Sequence, residues 1–278
     1  MSPNIKEELN FYRDFKEWYY QIIKEFGFEY EKDCQAKDLL TSIFTKKLRD
    51  KDWNLFHILA KFTNMIQNEE KIILYGCGPS LETTIEALNA YEKEKYWKNS
   101  VNLAADGAAV LLLQKDIPVH GLFTDLDGIT EKEFHEALFT IVHAHGDNMD
   151  KLNSFKSAIL EKENVIGTSQ VEPNEVILNP GGFTDGDRIL YFLRSILLPH
   201  HVIYMIGMDF CEEVGRFSKP WMDDTAPANP IKRKKLEYAI QLIDWLARKI
   251  KNPLLFVNSK SPTPAFRSIS IEEFLQKL

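Results

Sequence analysis

The chain has 278 residues, a formal net charge of −7 at pH 7, 44% hydrophobic and 27% charged residues, which are ordinary globular proportions that exclude wholesale disorder and fibrous repeats. Its length allows one large domain or two ordinary ones, and its acidic balance argues against a nucleic-acid-binding surface. The three cysteines, Cys34, Cys77 and Cys211, are far apart and form no CxxC pair, so neither a disulfide framework nor a structural zinc site is expected and a reducing cytosol fits best.

The first residues, MSPNIKEELNFYRDFKEW, place charges in every turn and lack the apolar run of a signal peptide. Nor does any stretch approach the ~20 apolar residues of a membrane span. A cytoplasmic protein without a membrane partner is expected. Over residues 5–67 apolar side chains recur at spacings of three and four, as in Leu9, Tyr12, Phe15, Tyr19 and Ile22, which predicts helices. A further amphipathic run over 52–67 carries Leu55, Ile58, Leu59, Phe62 and Ile66 and ends at the charged turn NEEK. Residues 1–69 thus read as a helical N-terminal region, and residues 70–278 as an α/β catalytic domain.

From Lys71 the pattern changes to short apolar runs ending in Gly, Asp or Asn: KIILYGCG, SVNLAADGA, PVHGLFTDLDG, FTIVHAHGDN, EVILNPGG, HVIYMIGMDF and LLFVNS. Runs apolar on consecutive residues predict strands buried on both faces. Helix-like segments such as SLETTIEALNAYEKE, residues 80–94, separate them. The fold class is α/β, with a mostly parallel, Rossmann-like sheet and helices on both faces. Ligands of such sheets bind beyond the carboxyl ends of the strands, near a switch in strand order.

Functional residue types fall at those ends. After the first run come Gly76, Cys77, Gly78, Pro79 and Ser80; glycines let backbone amides approach an anion, and a helix starting near Ser80, with Ser80 as its N-cap, favours negative charge. The turn lacks the lysine of a P-loop. Asp106, followed by Gly107, ends the second run, where an acid often holds a ribose hydroxyl, although Asp-Gly is also a common turn. In TDLDG, Asp125 and Asp127 are two apart and face one side of an extended chain. Two such carboxylates repel unless a cation lies between them, and hard oxygen ligands suit Mg²⁺. In HAHGDN, Asp147 offers a third carboxylate, and His143, His145 and Asn148 offer groups for phosphate or substrate or a purely structural role. Further on, Asp185, Asp187 and Arg188 follow Gly181 and Gly182, the acids suited to capping a helix or binding substrate and the guanidinium to facing phosphate. Asp209 ends another run with the same ambiguity. Lys232, Arg233, Lys234 and Lys235 crowd a helix start, where the dipole disfavours cations and a nearby anion relieves them.

Taken in order, GCGPSL, ADGA, TDLDG, HAHGDN, GFTDGDR and GMDF resemble the archaeal 6-hydroxymethyl-7,8-dihydropterin diphosphokinases, whose catalytic fold is related to thiamin diphosphokinase. The likeness spans about residues 71–256. It implies attack by a hydroxymethyl oxygen on the β-phosphorus of ATP, giving a diphosphate ester and AMP, with Mg²⁺ as cofactor and a small pterin alcohol as partner. It assigns Asp125, Asp127 and Asp147 as metal ligands and catalytic residues. Gly76, Gly78, Pro79, Ser80, Asp106 and Gly107 then lie near the nucleotide, and His145, Asn148, Asp185 and Arg188 near the substrate. In thiamin diphosphokinase a lysine follows the last aspartate at a fixed distance, whereas here Lys151 is offset. Transfer of this type relies on positioning and charge neutralisation rather than a covalent nucleophile. Assembly into a homo-oligomer is compatible with all of this.

Rival readings use fewer motifs. ILYGCGPS with Asp106 also looks like the first motif of an S-adenosylmethionine methyltransferase. His143, His145 and Asp147, with His200 or His201, have the spacing of a metal-dependent hydrolase. A nucleotide-binding module without catalysis is the third alternative.

Overall fold

In the computed structural model, residues 5–91 and 96–277 are described. The apolar spacing of the N-terminal region folds as α1 (Ile5–Leu9), α2 (Tyr12–Phe26), α3 (Tyr30–Asp50) and α4 (Leu55–Gln67). Helix α2 buries Phe15, Tyr19 and Ile22. Gly27 ends it at φ 69°, returning its N–H to the Ile23 carbonyl, the left-handed cap that glycine adopts most readily. Asn54 caps α4 by accepting the His57 N–H. Residues 1–4, the first of the helical N-terminal region, lie outside the described residues.

The apolar runs form β1 (Lys71–Tyr75), β2 (Ser100–Ala105), β3 (Gly121–Thr124), β4 (Phe139–Ala144), β5 (Val165–Ser169), β6 (Ile177–Leu178) and β7 (Val202–Ile206). A small antiparallel ribbon of β8 (Glu213–Val214) and β9 (Ala226–Pro227) follows, and then β10 (Leu254–Val257) and β11 (Arg267–Ile269). Apart from the ribbon, the strands join one sheet in the order β11-β10-β7-β1-β2-β3-β4-β5-β6, parallel throughout. Strand β1 pairs Lys71 with Ser100 on one side and with Val202 on the other. From β1 the chain walks outward to β6, then returns to the opposite side of β1 with β7, so the strand order switches between β1 and β7.

Helices α5 (Ser80–Ala90), α6 (Ala108–Gln114), α7 (Glu131–Glu136), α8 (Met149–Ser154), α9 (Lys156–Glu161), α10 (Asp185–Leu193), α11 (Pro230–Ala247) and α12 (Ile271–Gln276) flank the sheet. Helix α10 lies over β1, β2 and β3, and α3 over β4, β5 and β6. Phe62 of α4 sets its ring against Phe123, Phe139 and Phe192 at 5.2 to 6.5 Å, so the N-terminal helices share the core of the sheet. No helix among the described residues is long and apolar enough to cross a membrane.

Several boundaries differ from the sequence reading. Positions 92–94 of the helix expected over 80–94 lie outside the described residues. Strand β3 is only four residues long, because its ladder begins after His120; Ile117 and Val119 are buried in irregular chain before it. Strand β5 went unread: VIGTS places Gly, Thr and Ser among two apolar residues, too few to mark a run.

Candidate active site

A cavity of about 410 Å³ opens at the carboxyl ends of the strands, where a parallel sheet presents its loops. Its floor begins at the switch point. Gly76 N–H donates to the Ile206 carbonyl at 2.9 Å and Gly78 N–H to the Gly207 carbonyl at 2.7 Å. Gly78 is required by close approach: a Cβ there would lie 2.1 Å from Asp209 Oδ2. That same oxygen accepts the Ser80 N–H at 2.9 Å. Ser80 is therefore the first helical residue of α5 rather than its cap, and the capping carboxylate arrives from the end of β7. Gly76, Gly78 and Asp209 line the cavity; Pro79 is the residue before α5.

Beside this turn, Asp106, Asp125 and Asp127 each place an oxygen within 4.8 Å of the others. The sequence reading paired Asp125 and Asp127 through extended geometry, but the chain leaves β3 at Thr124 and Leu126 adopts φ 73°. The convergence comes from the turn: Asp127 N–H donates to Asp125 Oδ1 at 3.2 Å, and Leu126 N–H donates to Thr124 Oγ1 at 2.7 Å. Thr124 Oγ1 in turn donates to Asp106 Oδ1 at 2.7 Å. Gly107 follows Asp106 into α6, and Gly128 closes the loop.

Four carboxyls in one cleft perturb each other. Burial, then repulsion from Asp125, Asp185 and Asp127, pushes Asp106 well above the usual carboxylate range. Burial and Asp125 raise Asp127, against the opposing pull of Lys219. Burial and Asp125 also push Asp185 up to about 7, with Arg188 opposing. Asp125 goes the other way: burial disfavours its charge, but its hydrogen bond with His145 and the nearby ammonium of Lys219 hold it well below the usual range. Lys219 forms an ion pair with Asp127, while Asp127 Oδ1 is buried without a partner. Such a hard-oxygen group, repelling itself and already drawing in an ammonium, fits a divalent cation.

Strand β4 supplies the next wall. His145 Nδ1 accepts the Asp147 N–H at 3.3 Å, so its Nε2 carries the proton toward Asp125 Oδ2, also at 3.3 Å. Asn148 is buried and fully used: its amide donates to the Asp125 and His143 carbonyls at 2.8 and 2.7 Å, and its oxygen accepts the His145 N–H at 3.0 Å. It braces the ends of β3 and β4 from behind. Asp147 is exposed on the cavity rim and stands outside the three-carboxylate group, because its turn carries it past the end of β4. Its place beside Asp125 and Asp127 is taken by Asp106.

The loop before α10 separates two aspartates that the sequence could not. Asp187 is fully buried and accepts the Phe183 and Thr184 N–H groups at 2.8 and 2.6 Å, completing a capping box with Thr184. Asp185 faces the cavity, where Arg188 Nη1 meets its Oδ1 at 3.0 Å. From α11, Lys232 and Lys235, one turn apart, line the cavity, whereas Lys234 pairs with Glu25 at 2.7 Å. Lys151 is exposed and away from it.

Two contributors had no motif to betray them. Lys219 follows a single 3₁₀ turn, Arg216–Ser218. Phe28, Lys32 and Asp33 reach the cavity from the α2–α3 hairpin. The rival readings lose footing here. Asp106 accepts from Thr124 and stands in the acid group, where the methyltransferase reading has no use for Asp125 and Asp127, and His201 is buried before β7, with its Nδ1 accepting the Leu198 N–H at 2.8 Å.

Residues 46–215 match the model of a family described as 6-hydroxymethylpterin diphosphokinase MptE-like. The chain belongs to this family. A curated protein named 6-hydroxymethyl-7,8-dihydropterin pyrophosphokinase from Pyrococcus furiosus is 38% identical over 237 residues, covering 84% of this chain and 94% of the relative. Similarly named proteins from Methanothermobacter thermautotrophicus and Methanocaldococcus jannaschii are 35% and 33% identical, covering 83% and 86% of this chain and 93% and 98% of theirs. The MptE-like match contains the carboxylate group, the β4 turn, Asp185, Arg188 and Asp209, and stops short of Lys219, Lys232 and Lys235; it begins after Asp33.

Proposed function

We propose that this protein transfers diphosphate from ATP to the hydroxymethyl oxygen of 6-hydroxymethyl-7,8-dihydropterin and releases AMP, with Mg²⁺ held by Asp106, Asp125 and Asp127. The observation that carries the reading is that three carboxylates lie within 4.8 Å of each other in a cavity also lined by Lys219, Lys232, Lys235 and Arg188. Carboxylates alone repel a triphosphate; a bound magnesium ion would supply the positive charge that joins the two. The names of the relatives support the pterin as acceptor.

In this reading the chain's own groups position the reactants. The bond forming is from the hydroxymethyl oxygen to the β-phosphorus; the bonds breaking are from that phosphorus to the bridging oxygen that leaves with AMP and from the hydroxyl oxygen to its proton, which passes to solvent. The Gly76–Ser80 turn borders the nucleotide's side of the cavity, with its Gly78 and Ser80 amides already engaged by the Gly207 carbonyl and the Asp209 carboxylate. Lys232 and Lys235 take up negative charge on the transferred phosphates, and Lys219, at present paired with Asp127, exchanges that partner for phosphate oxygen. His145 holds Asp125 in its ionised form. Asn148 fixes the distance between the ends of β3 and β4. Asp147 stays at the rim as an outer contact.

The test is to incubate the protein with ATP, Mg²⁺ and 6-hydroxymethyl-7,8-dihydropterin, or with thiamin, and to separate the nucleotides. AMP is expected with the pterin alone; ADP as the sole nucleotide product rules out diphosphate transfer.

A further inference from the structure

One wall of the cavity sets a buried carboxylate near a buried imidazole. Asp33 of α3 is 3% exposed and accepts three hydrogen bonds: Tyr19 Oη and Gln170 Nε2 on Oδ2, and Gly146 N–H on Oδ1, each at 2.7 Å. A carboxylate offers about four acceptor positions, so Oδ1 retains one. No Lys or Arg among the described residues forms an ion pair with it. Beyond Gln170, His143 is 2% exposed, with Nδ1 against Thr168 Oγ1 at 3.1 Å. Its Nε2 is buried without a hydrogen bond of ordinary length, with the Gln170 side chain within reach of the ring, and Arg188 Nε is likewise unpartnered; Asp33, His143, Gln170 and Arg188 line the cavity. Burial and the charge of Arg188 hold the imidazole far below its ordinary pKa, so the ring is neutral.

Two phenyl rings border the same space. Lys235 Nζ lies 5.5 Å from the Phe28 ring centre and 5.7 Å from that of Phe183. Both rings are only partly buried. Aromatic faces beside unfilled buried polar atoms are the lining of a site for a flat heterocycle, and an unpaired buried polar atom costs free energy that a ligand hydrogen bond recovers.

Resting on the function proposed above, we infer that this wall is the ring subsite of the acceptor. Phe28, itself stacked on Phe26 with ring centres 5.3 Å apart, and Phe183 border the ring, and Asp33 Oδ1 and His143 Nε2 hydrogen-bond its nitrogen-rich edge. The geometry serves transfer. The His143 ring stacks near that of His145, centres 6.1 Å apart, and His145 touches Asp125. A ring seated on His143 therefore points its hydroxymethyl arm at the carboxylate group. The α2–α3 hairpin, with His143 and Phe183, thus carries specificity for the acceptor, and the carboxylate group with Lys219 and α11 carries the phosphates.

The experiment titrates wild type, His143→Phe and Phe28→Ala with the fluorescent, oxidised 6-hydroxymethylpterin, and separately with Mg·ATP by calorimetry. His143→Phe keeps a ring of similar size without the polar nitrogen, and Phe28 is partly exposed, so Mg·ATP binding within twofold of wild type certifies the fold of each. Expected is at least a tenfold rise in the pterin Kd for both. A variant that binds the pterin like wild type strikes its residue from the subsite, and parallel loss of both ligands overturns the division of the cavity. A wild type that binds Mg·ATP but no pterin overturns the function itself and this assignment with it.

Discussion

A methyl group on Gly128 would lie 1.9 Å from Asp106 Oδ2 and 3.0 Å from the Gly107 nitrogen, so Gly128→Ala must displace the carboxylate that completes the three-acid group. Overpacking of this sort costs about 1–3 kcal/mol; urea denaturation should register that loss, and product formation should fall at least tenfold. Asp125→Asn is expected to remove activity by a factor of about 100 or more, as loss of one preorganised electrostatic group does, and a coupled nucleotide assay checks it. The acid group also predicts a pH dependence. Asp106, Asp127 and Asp185 have folded pKa values raised above their unfolded values, to about 7 for Asp185. Between about pH 4 and 7 the folded state therefore binds more protons than the unfolded, and stability falls as pH rises through that window. Thermal melts at a series of pH values should show the decline, Asp185→Asn should flatten it, and millimolar Mg²⁺ should raise Tm more at pH 7.5 than at pH 5. Carboxylates two apart in TDLDG were legible because like charges so close need a reason. Lys219 and Asp33 were not, because nothing in FSKPW or YEKDCQ distinguishes them from a solvated loop and helix. Asp147 lies at the rim rather than in the three-carboxylate group, since sequence order places it after a strand end but says nothing of how far a turn carries it.

Among the elements, α5 shows how an end-cap can come from a distant strand. Ser80 sits where an N-cap is expected, yet the backbone donor is satisfied by Asp209, 129 residues later. Asp209→Ala should cost about 1 kcal/mol, the usual worth of a capping side chain, whereas Ser80→Ala, whose hydroxyl finds no partner, should leave stability nearly unchanged; paired chemical denaturation curves decide between them. Helix α11 makes a second case. Asn229 caps it and Pro230 occupies its first turn, so the cations that follow are placed by helical spacing, with Lys232 and Lys235 toward the cavity. Consecutive apolar runs announced most strands because burial on both faces leaves no room for alternation, as in β1, where Ile72, Ile73, Leu74 and Tyr75 are all buried. Strand β5 escaped because it is equally buried but uses Gly, Thr and Ser to do it: Gly167 admits Phe44 of α3, whose ring a Cβ would meet at 2.8 Å, and Thr168 engages His143.

At the scale of the molecule, a change in pattern at Lys71 marks where helices give way to strands without marking a boundary in the packing. Phe62 of α4 is fully buried against β3, β4 and α10. Trp18 of α2 meets Trp245 of α11 edge-on at 6.3 Å, and Asp33, held by the Tyr19 hydroxyl, accepts from Gln170 and Gly146 at the sheet's carboxyl end. Helices held this way have little to bury alone, since most helical stability comes from packing an amphipathic face. Residues 1–69 and 70–278 are therefore expected to unfold together. Phe62→Ala removes a ring that touches both parts and should cost about 3–5 kcal/mol. If the parts are one cooperative unit, the variant shifts the unfolding midpoint seen by far-UV circular dichroism, which weighs every helix, by the same amount as that seen by tryptophan fluorescence, which sums five indoles, Trp18 and Trp53 in the N-terminal region and Trp97, Trp221 and Trp245 beyond it. Two separated transitions, with only one moved, would instead mean that the hairpin bearing Phe28 and Asp33 can detach while the carboxylate group persists. Coincident transitions would mean that the acceptor's wall and the phosphate site exist only together, so that a pterin bound to one stabilises the whole chain.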